Sequence, residues 1–168
     1  HQLGFLVNDL YPDARKLERR YWPAHLEAAL LFIEKYNLRD ALWTASMIHL
    51  FQRWGDKVTM ANLAQMVNVI APIMTSKDGL LKQSTFYPFQ LFRKHACGES
   101  LDVLVKAPLE ETKVYGAVPR LDVSASHDPA SGKRAAFIVN RSLSQSEPLD
   151  LLWQGWKPGG KAQAWQMS

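Results

Sequence analysis

At 168 residues, 47% of them apolar, the chain is long enough and apolar enough to bury a core of ordinary domain size. Its formal net charge of +4 invites a nucleic-acid partner, but the densest basic cluster, Arg15, Lys16, Arg19 and Arg20, is interrupted by Glu18 in a helix-like segment and reads as a solvated helix face. The single cysteine, Cys97, excludes an internal disulfide and a CxxC pair, and no run approaches the roughly 18 apolar residues of a membrane helix.

Leu3 to Val7 reads as a short buried strand, and Ala24 to Tyr36 as a helix with Leu26, Leu30 and Ile33 on one face. Asn37 is a good N-cap, and Asp40 lies three residues on, where a carboxylate suits the positive end of the helix dipole. They predict a second helix from Leu38 to about Trp54, ended by Gly55. Leu42, Ala45, Ile48, Leu50, Phe51 and Trp54 make this helix apolar on more than one side. Lys57 to Leu63 reads as a strand, with the polar residues Gln65 and Asn68 emerging just beyond its C-terminal end. Tyr87 to His95 reads as a further helix, with Pro88 tolerated in its first turn.

Near Gly98 the chain changes character. Beyond it, short alternating runs are separated by turn signals such as His127-Asp128-Pro129, Ser131-Gly132-Lys133 and Pro158-Gly159-Gly160. Asp102 to Lys106, Leu121 to Ser126, Ala135 to Asn140, Leu149 to Trp153 and Ala162 to Met167 are the candidate strands, at a spacing that suits an antiparallel sandwich. The fold class is therefore α/β followed by all-β, with domains over residues 1–98 and 99–168. No internal repeat or low-complexity run is present.

Five ordered blocks resemble the C-terminal part of glycoside hydrolase family 51 α-L-arabinofuranosidases. They are Tyr36-Asn37-Leu38-Arg39-Asp40-Ala41-Leu42, the run from Lys57 to Thr75, Phe86-Tyr87-Pro88-Phe89, Val118 to Ala125, and Phe137 to Ser142. The resemblance implies that residues 1–98 are the last strand/helix units of a (β/α)8 barrel and that residues 99–168 form an incomplete antiparallel β-sandwich. Family members are far longer, so the chain reads as a fragment cut at both ends. The activity implied is release of terminal α-L-arabinofuranosyl groups from arabinan, arabinoxylan or their oligosaccharides, with water as co-substrate and without cofactor or metal. A cytoplasmic setting, no nucleic-acid or membrane partner, and a homo-oligomer are further expectations. A partial barrel exposes apolar surface, which also favours association.

Retaining glycosidases need two carboxyl groups about 5 to 5.5 Å apart across the scissile bond. By the resemblance the acid/base strand would lie upstream of His1. The nucleophile motif, Asp-Glu-Trp-Asn, would fall at Leu3-Gly4-Phe5-Leu6-Val7-Asn8-Asp9, where Leu6 or Val7 stands in place of the glutamate. Asp9 is two or three residues away, roughly 7 to 10 Å along an extended chain, and reads as a turn or cap residue before Tyr11-Pro12-Asp13. No catalytic residue is therefore assigned, and the isolated chain is expected to be inactive. The alternative is a non-catalytic homologue or a sandwich module that binds carbohydrate or a protein.

The substrate-binding candidates are Gln65 and, more weakly, Asn68. In the resembled family the glutamine of the segment matched by Leu63-Ala64-Gln65-Met66-Val67-Asn68 lies in the arabinose pocket, where an amide can donate to and accept from hydroxyls. Asn68 also suits a turn before Val69-Ile70-Ala71-Pro72. His49 and His95 read as core or capping residues, having no second ligand at metal spacing. Trp153, Trp156 and Trp165 are either core or sugar-stacking platforms, and Asn140-Arg141-Ser142 fits a glycosylation sequon.

Overall fold

A computed structural model describes residues 35–157 and 159–167. The expected strand at Leu3–Val7, and the expected helix at Ala24–Tyr36 except for its last two residues, lie outside them; Lys35 and Tyr36 are not helical. The chain divides between Ala96 and Cys97 into two compact units.

Among the described residues the first unit holds two helices and one hairpin. Helix α1, Leu38–Arg53, begins where Asn37 leaves helical geometry: its side chain accepts from Arg39 N–H at 2.8 Å, and Asp40 Oδ2 accepts from Asn37 N–H at 2.7 Å. This reciprocal capping box satisfies donors that the first turn leaves orphaned. Ala41, Thr44 and His49 are its buried positions, one stripe at helical spacing, and Thr44 Oγ1 donates back to the carbonyl of Asp40. Trp54 closes the helix, and its N–H reaches Leu50 O at 3.1 Å.

Between Val58 and Leu63 the backbone is irregular and nearly all side chains are exposed, which corrects the expected strand at Lys57–Leu63. The alternation of Val58, Met60 and Asn62 is there, but a strand needs a partner for its backbone groups, and none is paired to it among the described residues. Strand β1, Ile73–Ser76, pairs antiparallel with β2, Gly79–Lys82, across Lys77-Asp78. Helix α2, Phe86–His95, carries Pro88 in its first turn and Arg93, Lys94 and His95 in its last, where cations complement the helix dipole. The two helices meet at His49 and Phe92, whose rings are 5.4 Å apart and tilted by 55°.

The second unit is built on a three-stranded antiparallel sheet of order β3-β6-β7: β3 is Glu99–Leu101, β6 Leu121–His127 and β7 Arg134–Asn140. In β6, Leu121 to Ser126 are all buried, with Leu121, Val123 and Ala125 alternating against Asp122, Ser124 and Ser126. Leu121 pairs with Asn140 and His127 with Arg134, so two of the five family-like blocks lie side by side in one ladder. A second hairpin, β4 (Leu109–Thr112) with β5 (Gly116–Pro119), is closed by Thr112 Oγ1, which donates to Gly116 O and accepts from Tyr115 N–H.

Three expected strands are corrected here. Asp102–Lys106 is irregular, the pairing having moved to Glu99–Leu101, and neither Leu149–Trp153 nor Ala162–Met167 forms a strand. Gly98 accounts for the first shift. A β-carbon built on it would lie 2.2 Å from His127 O, so only glycine lets the chain run this close to the end of β6 before pairing begins. The architecture of the described residues is thus small antiparallel sheets with two helices. Among them no helix is long and apolar enough to cross a membrane.

Candidate functional site

Among the described residues, the loop from Gln65 to Pro72 has the least ordinary backbone. Gln65, Asn68 and Val69 take φ of 51°, 64° and 59°, the left-handed region that side chains with a β-carbon avoid at a cost of about 1–3 kcal/mol each. Val69 is the most costly of the three, being β-branched. It follows Asn68 in a turn closed by Ala71 N–H donating to Asn68 O at 3.0 Å, at a position usually given to glycine.

Contacts hold this backbone from Val67 onward. Asn68 N–H donates to Ile73 O at 2.7 Å, and Val67 bridges to Ile73 in parallel. The Asn68 side chain faces Thr75: Oδ1 accepts from Thr75 N–H at 2.7 Å, and Nδ2 donates to Thr75 Oγ1 at 3.1 Å. Tyr36 Oη donates to Ile70 O at 2.6 Å. The buried Gln83 donates through Nε2 to Ala71 O at 2.8 Å and through its backbone N–H to Pro72 O, while its Oε1 accepts from Tyr36 N–H. Residues 59–67 stand exposed on the near side, Gln65 among them, so its amide is open to solvent.

The structure therefore sets the two sequence candidates apart. Gln65 presents a free amide on an exposed loop, whereas Asn68 has turned its amide on Thr75. Tyr36, Thr75 and Gln83 belong to the same assembly, and sequence reasoning did not single out any of them as site residues. A lone buried glutamine next to Ser84-Thr85 carries no pattern that separates it from a helix-capping segment.

Elsewhere polar and aromatic groups serve the fold. Trp153 and Trp156 meet edge to face, 5.8 Å between centroids, and the Arg134 guanidinium lies 4.2 Å over the Trp156 ring. One face of Trp156 is thus occupied by a cation within the molecule. Arg120 gathers Glu110 at 3.0 Å, Gln145 and Glu147, and its bond to Glu147 raises the guanidinium pKa further above the ordinary arginine value. Arg141 pairs with the buried Asp122 at 3.0 Å. Asp128 in the β6–β7 turn accepts from Ser131 Oγ at 2.5 Å and from Ala130 N–H, which lowers its pKa below the usual aspartate value. In the sequon, Asn140 Nδ2 donates to Gln145 O and Oδ1 accepts from Ser142 N–H, so the amide that would carry a glycan is engaged in the loop. Cys97 is exposed. Among the described residues no three His, Cys, Asp or Glu side chains are grouped to hold a metal ion.

Residues 18–168 match the model of the alpha-L-arabinofuranosidase C-terminal domain. The chain belongs to that family. An intracellular exo-alpha-(1->5)-L-arabinofuranosidase of Streptomyces lividans is 40% identical over 135 residues, which cover 80% of this chain and 20% of that protein. Another of the same name from Halalkalibacterium halodurans is 38% identical over 150 residues, 89% of this chain and 29% of that one. The solved structure of AbfB, a family 51 alpha-L-arabinofuranosidase from Bifidobacterium longum, superposes with a TM-score of 0.65 at 34% identity, covering 68% of this chain and 23% of its own. The chain thus spans between a fifth and three-tenths of the length of these relatives. As a member of the family it is the C-terminal portion of a family 51 arabinofuranosidase architecture.

Proposed function

We propose that this arabinofuranosidase C-terminal domain works as part of a retaining glycoside hydrolase that releases terminal α-L-arabinofuranosyl groups from arabinan- or arabinoxylan-type oligosaccharides, in an intracellular setting like that of its named relatives. Its residues 1–98 are the closing units of a catalytic barrel, and residues 99–168 are a β-sandwich. Gln65 is the sugar-contacting residue it contributes, its amide donating to and accepting from arabinose hydroxyls. The observation that carries this reading is the family match over residues 18–168 together with an exposed Gln65 amide on a loop held in a strained conformation. The homo-oligomer expected from the sequence belongs to the same proposal.

Within these 168 residues the hydrolytic machinery is incomplete. The family's nucleophile position falls on Leu6 or Val7, and neither side chain can attack an anomeric carbon. Without a nucleophile no glycosyl-enzyme forms, so residues 1–168 alone do not hydrolyse arabinosides. The same absence favours a second reading, a non-catalytic homologue that retains only binding. One experiment separates the two. The coding sequence upstream of His1 is read, the longest open frame is expressed, and both it and residues 1–168 are assayed for arabinose release from α-1,5-linked arabino-oligosaccharides. Hydrolysis by the long form only, lowered in Gln65→Ala, supports the first reading. An inactive long form that still binds the oligosaccharide supports the second. Hydrolysis by residues 1–168 alone refutes the account of the missing carboxylates.

A further inference from the structure

We propose that Asn68 and Thr75 form a clamp whose role is to position Gln65, so that Asn68 serves sugar recognition through the backbone of its loop and without touching sugar. The inference rests on the reading of Gln65 as a pocket residue and adds the device that aims it.

The Asn68 amide has both ends on one partner. Oδ1 takes the Thr75 backbone N–H at 2.7 Å, and Nδ2 reaches the Thr75 hydroxyl at 3.1 Å. This bidentate grip crosses the turn from the loop to β1, and Asn68, which makes it, begins a stretch that the backbone does not adopt cheaply. Asn68 and Val69 are left-handed in succession, at φ of 64° and 59°. Conformations of this kind persist only where surrounding contacts over-determine them. Here the far side of the loop is fixed at Ile70 by Tyr36, and at Ala71 and Pro72 by Gln83. The near side, residues 59–67, is exposed. Gln65 therefore takes its position from the point at which the exposed segment enters the pinned one, three residues later at Asn68. If the grip is released, Val69 can relax out of the left-handed region and the entry point moves, carrying Gln65 with it.

A contact role and a positioning role for Asn68 make opposite statements about Thr75, whose hydroxyl meets the loop at the Asn68 amide. Thr75→Val keeps the shape and the backbone N–H but removes the hydroxyl, whereas Thr75→Ser keeps the hydroxyl. The test is a calorimetric titration of the full polypeptide carrying these residues with α-1,5-L-arabinotriose, in Thr75→Val, Thr75→Ser, Gln65→Ala and the Gln65→Ala/Thr75→Val double variant. Amide hydrogen exchange at Ala71 is read on the same samples. The expected result is a loss of affinity of roughly 3- to 10-fold in Thr75→Val, the scale of one hydrogen bond, near-normal binding in Thr75→Ser, and no further loss from Thr75→Val once Gln65 is alanine. Exchange at Ala71 should quicken in Thr75→Val. Unchanged affinity in Thr75→Val, or an equal loss from it with and without Gln65, overturns the positioning role. If Gln65→Ala binds like the native protein, the pocket reading itself fails. Exchange at Ala71 then still decides whether the clamp holds the loop, and an unaltered rate in Thr75→Val shows that it does not.

Discussion

Gly98→Ala is expected to be the most damaging single methyl that can be added to the second unit. Gly98 has φ of +77°, and the β-carbon of an alanine there would lie 2.2 Å from His127 O, 2.6 Å from Asp128 Cα and 2.9 Å from His127 C. All three are backbone atoms at the end of β6 and the start of the turn after it, which cannot swing aside like a side chain. The left-handed backbone costs a non-glycine residue about 1–2 kcal/mol, and forcing a methyl into filled space costs about 1–3 kcal/mol more. The total is roughly 2–5 kcal/mol, a large part of the roughly 4–10 kcal/mol that holds a unit of this size. Two controls isolate the two contributions. Gly132 has φ of +70° with open space around its β-carbon position, so Gly132→Ala meets only the backbone cost, about 1–2 kcal/mol. Gly159 meets nothing within 4 Å, and Gly159→Ala should stay within about 0.5 kcal/mol of the parent. Urea unfolding followed by near-ultraviolet circular dichroism of the tryptophans gives the three midpoints, compared at constant m. If Gly98→Ala unfolds no earlier than Gly132→Ala, the close approach at β6 does not exist and the explanation of where β3 pairs is wrong.

Asn37→Ala removes the side-chain half of the capping box at the start of α1, the acceptor for Arg39 N–H, while the backbone N–H of residue 37 can still donate to Asp40, and should destabilise that helix by about 1 kcal/mol, seen as faster amide exchange in its first turn. Arg120 is shared by Glu110, Gln145 and Glu147, so Arg120→Met and Glu147→Gln should each lower the melting temperature of the second unit, and the double variant should lose less than their sum; strict additivity would mean the pair is not coupled. Because the Asp128 pKa is lowered in the folded state, first by Ser131 and then by Ala130 N–H, its contribution is fully present above the ordinary aspartate pKa of about 3.9 and fades as pH falls below it. Asp128→Asn should therefore shrink the difference in melting temperature between pH 6 and pH 3, and an unaltered difference would show that this carboxylate does not take part.

Elements whose causes are local were legible in the sequence, and those whose causes are distant were not. Asn37 and Asp40 announce α1 because a capping box is complete within four residues, and the structure ends the helix at Arg53 with Trp54 as its cap. The turn at His127 to Lys133 and its flanking runs became β6 and β7 within one or two residues of expectation. Val58 to Leu63 failed because alternation indicates a surface that suits a sheet without supplying the neighbouring strand. The β1–β2 hairpin went unseen for the opposite reason. Gly79-Leu80-Leu81-Lys82 is exposed throughout, so its sequence shows no buried face to alternate with, although Asp78-Gly79 is a fair turn signal.

The candidate site divides along the same line. Gln65 is a candidate through its place beyond the expected strand and through resemblance to a family, since nothing in Leu63-Ala64-Gln65-Met66 by itself distinguishes a sugar-facing amide from an ordinary exposed one. What surrounds it was hidden, because Tyr36 and Gln83 are far from the loop in sequence and bond to its carbonyl groups. A side chain that bonds to a carbonyl leaves no chemical signature in the residue it contacts. Val69 could have served as the clue. A valine placed where a turn ordinarily takes glycine gives up stability that glycine would retain, and natural sequences accept such a cost mainly where geometry matters more than stability. Val69→Gly separates these ends. Relief of about 1–2 kcal/mol of left-handed strain is opposed by the added freedom of glycine in the unfolded chain, about 0.5–1 kcal/mol, so the melting temperature should hold or rise slightly. The loop should become less fixed, and amide exchange from Gln65 to Ala71 should quicken. A Val69→Gly variant that melts well below the parent would mean that Val69 is held there by packing, and that its backbone records no functional demand.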